Sequence, residues 1–337
     1  MRKAFLFESC DNGAVKCNLC AHRCHILPDK TGFCRVRTND NGVLFTSAYG
    51  NLAASAVDPI EKKPLFHFLP GSRSFSIAVS GCNFRCSFCQ NWEISQISSD
   101  TSYKRTTHEV EPMEIVNAAR ANHCDSISFT YTEPVIFMEY AFDIARLARE
   151  HKLRTVFVSN GYMTEEALDL VAPVLDACNI DLKAFTDSFY TKICKAHLQP
   201  VLDSIERINR KGIHIEISTL IIPGENDSPE ELKRIASFIS YVNPDIPWHV
   251  SRFFPRYQFL DHEITPEQIL SDAVNIGLEN GLRYVYAGNL PGNDSDTRCW
   301  NCHNVIVKRT GYTSVNVQIS NGRCVKCGTE IYGVWDR

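Results

Sequence analysis

Eleven of the fifteen cysteines in this 337-residue chain fall into three tight groups, near residues 17–34, 82–89 and 299–327. Clustered thiols constrain a fold more than scattered ones, because each group must converge on a bridge or a metal. Disulfides need an oxidising compartment. The amino-terminus lacks the apolar core of a secretory signal, since Glu8 interrupts it. No apolar run approaches the roughly 20 residues that span a bilayer. The sequence therefore reads as a cytoplasmic protein with no membrane partner, and its thiol groups read as metal sites. Cys10, Cys124, Cys178 and Cys194 stand outside the groups and read as small buried apolar residues.

Between about 74 and 290, short runs rich in Ile, Val and Phe alternate with helical patterns. The expected strands are 74–80, 125–131, 154–159, 179–183, 214–222, 248–254 and 283–287. Their continuous apolar character predicts burial on both faces. Pro134 opens a helical stretch, and Thr164, Ser228 and Thr265 read as helix caps followed by acids or proline. This alternation predicts an α/β core with a parallel sheet, and both a barrel and an open sheet fit it. Ligands then gather at the carboxyl ends of the strands. The expected organisation is a cysteine-rich segment over 1–70, the core over 71–290 and a small module over 291–337. A net charge of −4 excludes general attraction to nucleic acid or membrane.

Cys82, Cys86 and Cys89 follow the first core strand with C-x3-C-x2-C spacing. Three thiolates on one loop can hold three irons of a [4Fe–4S] cubane and leave the fourth iron open. An open iron can chelate the amino and carboxylate groups of a methionine moiety, so an electron can enter its sulfonium. A zinc loop is the competing reading, but zinc wants a fourth close ligand.

This loop resembles the signature of radical S-adenosylmethionine (SAM) enzymes. The whole chain resembles the AmmeMemoRadiSam-system radical SAM family, relatives of pyruvate formate-lyase activating enzymes. The resemblance includes Asp58-Pro59-Ile60-Glu61-Lys62-Lys63-Pro64, Tyr131-Thr132-Glu133-Pro134, Ser159-Asn160-Gly161, Asp181-Leu182-Lys183 and Trp248-His249-Val250-Ser251-Arg252-Phe253. It implies a partial (β/α)6 barrel, cleavage of SAM to a 5′-deoxyadenosyl radical, and an electron donor such as flavodoxin or ferredoxin. It also implies association with Memo-like and AMMECR-like proteins.

Strand ends supply the remaining candidates. Glu133 stands where radical SAM enzymes carry Gly-Gly-Glu, a contact to the SAM amino group, although Tyr131 and Thr132 replace the glycines. Ser159 and Asn160 read either as SAM ligands or as a turn. Asp181 and Lys183, two residues apart, point to one side of a strand and belong by resemblance to the active site, or form a structural ion pair. His249 is expected to face the pocket, with Arg252 at the strand's end.

Cys299-x2-Cys302 and Cys324-x2-Cys327 read as a zinc-ribbon-like tetrad, although four cysteinyl sulfurs also bind iron. Cys17, Cys20, Cys24 and Cys34 form a second four-thiol set, interleaved by His22 and His25. Its irregular spacing fits zinc or an auxiliary Fe–S centre, with structural zinc preferred. Three functions remain open: hydrogen abstraction from a macromolecule, protein or RNA; installation of a glycyl radical on a partner enzyme; and a non-catalytic metal scaffold.

Overall fold

The computed structural model describes residues 1–97, 109–290 and 295–336. Its centre is an eight-stranded sheet of β1 (Leu52–Pro59), β2 (Arg73–Val79), β3 (Ser126–Phe129), β4 (Arg154–Ser159), β5 (Ala177–Asp181), β6 (His214–Ile221), β7 (Trp248–Arg252) and β8 (Val285–Gly288). Each strand pairs with the next in chain order. β1 runs antiparallel to β2, and every later pair is parallel. The parallel steps are bridged by α1 (Pro112–Ala121), α2 (Met138–Glu150), α3 (Glu165–Val171), α4 (Gln199–Arg210), α5 (Pro229–Val242) and α6 (Glu267–Glu279). Six βα units and a last strand thus curl into a partial barrel, whose edges β1 and β8 do not pair with each other among the described residues.

All seven expected core strands form, with ends displaced by a few residues. One displacement matters: β5 ends at Asp181, so Lys183 lies in the following loop, where the Tyr190 hydroxyl meets its N–H at 3.0 Å. β1 falls inside the stretch expected to flank the core. Its sequence, Leu-Ala-Ala-Ser-Ala-Val-Asp-Pro, has weak strand preference and is held by its ladder with β2. Thr164 and Ser228 cap α3 and α5 as expected, each accepting a backbone N–H at 3.2 Å. Thr265 does not cap α6. Its hydroxyl accepts from Phe253 N–H at 2.8 Å and donates to the Ile221 carbonyl at 2.6 Å, tying β6 to β7.

Residues 1–46 build two small three-stranded sheets, one of Phe7–Ser9, Val15–Cys17 and His25–Ile26, the other of Arg2–Lys3, Arg37–Asp40 and Val43–Thr46. Their apolar side chains join the barrel's own core. A buried ion pair between Arg37 and Glu139 anchors them to α2. At the other end, the C-terminal strands pack Ile306 and Ile331 against Phe66, Tyr284 and Tyr286. Val334 pairs with the segment before β2, its N–H donating to the His67 carbonyl at 2.7 Å and its carbonyl accepting from Leu69 N–H at 2.7 Å. No helix among the described residues is long and apolar enough to cross a membrane.

Inside the barrel, Glu216 on β6 is fully buried and accepts four hydrogen bonds. They come from Phe66 N–H (3.0 Å), His67 N–H (2.7 Å), His214 Nε2 (3.0 Å) and His249 Nε2 (2.6 Å). Burial opposes its charge, yet His214 and His249 hold its carboxyl well below the usual range. Burial also pushes His67 down to about 3. The signs agree: unfolding lets His67 gain a proton below its ordinary 6.5, and Glu216 below 4.5, that the folded state refuses. Stability should therefore be full near neutral pH and fall as pH drops from 6.5 toward 3. Glu216→Gln should cost about 3 kcal/mol at pH 7 and flatten this acid limb. Urea unfolding of both proteins across that range checks it, and equal slopes would refute the assignment.

Candidate active site

Cys82, Cys86 and Cys89 lie on the loop leaving β2, at the carboxyl edge of the sheet. Gly81 opens the loop at φ 106°, and a Cβ there would stand 3.0 Å from Val36 Cγ1 and 3.1 Å from the Cys34 carbonyl. Only glycine takes that backbone at that closeness without strain. Arg85 N–H donates to the Cys194 carbonyl at 2.8 Å and Ser87 N–H to the Ile193 carbonyl at 3.2 Å, which fixes the loop from below. Phe84 N–H points at Cys82 Sγ (3.3 Å), and Ser95 Oγ lies 3.1 Å from Cys89 Sγ. Burial pushes the Cys82 and Cys89 thiols up, and contact with Cys194 followed by burial does the same for Cys86. Metal binding must therefore release protons.

The next three strand ends meet this loop. Glu133, after β3, is buried, and burial pushes its carboxyl up to about 7. It accepts from Val135 N–H (3.1 Å), Ser159 Oγ (2.8 Å) and Asn160 N–H (2.8 Å). Asn160 Nδ2 donates to Asn83 Oδ1 at 2.7 Å, inside the cysteine loop. Asp181 and Lys183 form an ion pair at 3.0 Å, with the ammonium 5.7 Å from the centre of the Phe88 ring.

These side chains enclose a cavity of about 510 Å³ lined by all three thiols, Glu133, Ser159, Asn160, Asp181 and Lys183. Its other wall is Tyr131, Lys62 and Lys63. Lys63 Nζ bonds Asp58 at 2.6 Å and lies 4.5 Å from the centre of the Tyr131 ring, whose hydroxyl also bonds Asp58. Although burial opposes it, Lys63, Tyr131 and Lys62 hold the Asp58 carboxyl well below the usual range. Asp58, Lys63 and Tyr131 lie in stretches that carry the family resemblance, and Asn83 lies inside the cysteine loop, but sequence reasoning assigns none of the four a role in the site.

The donor set fits an iron–sulfur cluster. The three loop thiols do not form a group whose ligand atoms lie within 4.8 Å, as a single ion would require, whereas the C-terminal cysteines do. Asn83 Nδ2 is buried beside Cys82 without a hydrogen-bond partner. Residues 76–239 match the model of the radical SAM superfamily. Across 98% of its length, and 99% of that relative's, the chain is 42% identical to the Methanocaldococcus jannaschii protein MJ0808.

The chain belongs to the radical SAM superfamily. This radical SAM enzyme is also 24% identical to the pyruvate formate-lyase-activating enzyme of Listeria monocytogenes, over 50% of its length and 70% of that protein's. Its fold resembles a radical SAM methyltransferase from Sphaerobacter thermophilus, with TM-score 0.51 and 15% identity, covering 65% of this chain and 67% of that one. The family implies a [4Fe–4S] cluster and SAM, which together supply a 5′-deoxyadenosyl radical for hydrogen abstraction. The chain's part is to hold the sulfurs on a rigid loop and to present Glu133, Asp181 and the lysines across the cavity.

His249 is not brought to this cavity. Its Nε2 is bound to Glu216, and the residue lines a separate cavity with Phe66 and Tyr286. Arg252 ends β7 and faces away, donating to the Thr265 carbonyl at 2.8 Å.

The carboxyl-terminal tetrad is built differently. Cys299 and Cys327 sulfurs stand 3.6 Å apart, and Cys302 and Cys324 sulfurs 3.8 Å. A tetrahedral ion with metal–sulfur bonds of about 2.3 Å has sulfur–sulfur edges of about 3.8 Å. Bonds with Thr329 hold the Cys327 thiol down to about 6, which favours the thiolate a metal needs.

Two outcomes follow. Reconstituted Cys86→Ala should make no 5′-deoxyadenosine from SAM and reductant while keeping its circular dichroism spectrum. Wild-type yield from that variant would refute the ligand set. Replacing Cys324 and Cys327 together should remove one metal ion per chain, measured by plasma emission, and expose residues 297–336 to protease first. Unchanged metal content would refute the tetrad.

Proposed function

We propose that this radical SAM enzyme abstracts hydrogen from a protein substrate whose reacting segment enters beside β7 and β8. The observation that carries the reading is a second cavity of about 610 Å³ that shares Lys62 with the cluster cavity. Its walls combine the ends of both strands, Ser251 and Gly288, with Tyr312 from the C-terminal module. Phe66, Phe254, Tyr286 and Leu290 make it apolar and aromatic. Such a lining suits a polypeptide, and a net charge of −4 gives RNA no general attraction.

On this reading Asp181 and Lys183 position the polar groups of SAM, together with Glu133, Ser159 and Asn160. His249 belongs to the substrate side. The C-terminal tetrad holds structural zinc, which keeps Tyr312 in place. Flavodoxin or ferredoxin supplies the electron in a cytoplasmic setting, and Memo-like and AMMECR-like proteins, partners of the AmmeMemoRadiSam system, are the first substrates or accessories to test. Similarity to the Listeria activating enzyme favours a narrower second reading, in which the hydrogen removed is that of a backbone glycine in a partner enzyme.

The test is an anaerobic reaction with SAM, reductant and deuterated candidate proteins. Deuterium should appear in 5′-deoxyadenosine with a protein fraction, and not with RNA or small metabolites. A stable glycyl radical signal on the partner would select the second reading. Tyr312→Ala should raise KM for the protein about tenfold while leaving substrate-independent SAM cleavage unchanged. An unchanged KM would remove the module from the docking surface. This variant is cleaner than deleting the module, because Val334 and Tyr332 also brace the barrel.

A further inference from the structure

Cys17, Cys20, Cys24 and Cys34 are all free thiols, set in one place by the amino-terminal sheets. Cys17 ends one strand and its N–H donates to the Cys24 carbonyl at 2.9 Å. Cys20 bridges to Met163 at the mouth of the barrel, and Cys34 lies against Gly81. The four face one another: Cys20 is within electrostatic reach of Cys34, Cys17 and Cys24.

Two of the four sulfurs have a donor aimed at them: Cys17 Sγ receives the buried guanidinium of Arg37 at 3.6 Å, and Cys24 Sγ receives Phe33 N–H at 3.5 Å. The cysteine loop after β2 uses the same device, Phe84 N–H on Cys82 at 3.3 Å. Donors of this kind stabilise charged sulfur, and free thiols packed in a core have no need of them.

The spacing separates one ion from several. Among the described residues, the C-terminal tetrad alone forms a group of ligand atoms within 4.8 Å of one another, the geometry of a mononuclear site. The amino-terminal four do not, and neither do the three thiols of the radical SAM loop. Sulfurs that bind different irons of a cubane stand further apart than sulfurs sharing one ion.

We infer that Cys17, Cys20, Cys24 and Cys34 ligate a second [4Fe–4S] cluster in place of zinc. Its surroundings give it a task. His22 Nε2 meets the Asn83 carbonyl at 2.7 Å, and the Arg85 guanidinium lies 4.6 Å from the centre of the Phe33 ring, so a single layer of residues separates the two thiol sets. The second cluster takes one electron from a reduced carrier protein, which is oxidised, and passes that electron to the first cluster, returning to its starting state.

The inference does not depend on the substrate. Full-length Cys82/Cys86/Cys89→Ala protein, reconstituted with iron and sulfide under argon, should retain about four irons and about four sulfides per chain. Its reduced form should give the electron paramagnetic resonance of a [4Fe–4S] centre. Adding Cys17→Ala and Cys20→Ala should abolish both. Iron-free triple variant, with or without extra zinc, would overturn the assignment. Should that variant precipitate, Mössbauer counting on wild-type protein decides between about eight irons and about four. The relay is read by stopped flow: Cys17→Ser/Cys34→Ser should slow reduction of the first cluster by reduced flavodoxin about tenfold (about 1.4 kcal/mol in barrier) and leave its reduction by dithionite unchanged. Equal rates with flavodoxin would remove the relay.

Discussion

The structure turns on one buried carboxylate. Glu133 sits between the ends of β3 and β4 and accepts three hydrogen bonds, two of them from Ser159 and Asn160. Asn160 then reaches Asn83, between Cys82 and Cys86. Sulfurs that hold a cluster must keep fixed separations, and a nine-residue loop cannot hold them by its own stiffness. The chain from Glu133 to Asn83 makes the cysteine loop part of the barrel's rim. A network of this kind stabilises only when each member is satisfied.

A second carboxylate plays the matching part inside the barrel. Glu216 gathers the backbone of Phe66 and His67 with His214 and His249, so the strand interior is tied to the segment that the carboxyl-terminal tail pairs with. Glu61 extends the tie, accepting from Gly71 N–H at 2.7 Å and from the Ser314 hydroxyl at 2.6 Å. The C-terminal module is thereby locked to the barrel at several points, which lets Tyr312 serve as a fixed wall of the second cavity.

The parts legible in sequence were those set by local spacing. C-x3-C-x2-C after a strand, and paired C-x2-C knuckles, need no tertiary information, and strands buried on both faces announce themselves by apolar runs. Which side of such a strand a polar residue faces is not written there, because both sides look alike. His249 does face the barrel interior, on the same face as Asp181 by strand register, but it is bonded to Glu216 and lines the neighbouring cavity, a placement along and across the sheet that no local pattern encodes. β1 was missed for a different reason: its alanines and serines become a strand only once β2 is beside it. Asp58 on β1, with Lys62 and Lys63 in the turn after it, stands in a stretch that carries the resemblance, but the place of the two lysines at the cavity follows only from that pairing.

Tyr131 explains why those residues are needed. It opens the Tyr-Thr-Glu stretch and holds φ at 63°, in the left-handed region. A bulky residue there costs of order 1–3 kcal/mol. The cost is offset locally: the Tyr131 hydroxyl bonds Asp58, and the Lys63 ammonium, itself paired with Asp58, packs over the ring. Asn91 Nδ2 donates to the Tyr131 carbonyl at 2.8 Å and ties the bend to the cysteine loop. Where glycine would leave the backbone open to a ligand, this chain places a tyrosine and a buried lysine against the cavity. Tyr131 at the bend, Asp58 on β1 and Lys63 in the turn after it thus form one interlocked contact, in which each of the three touches the other two.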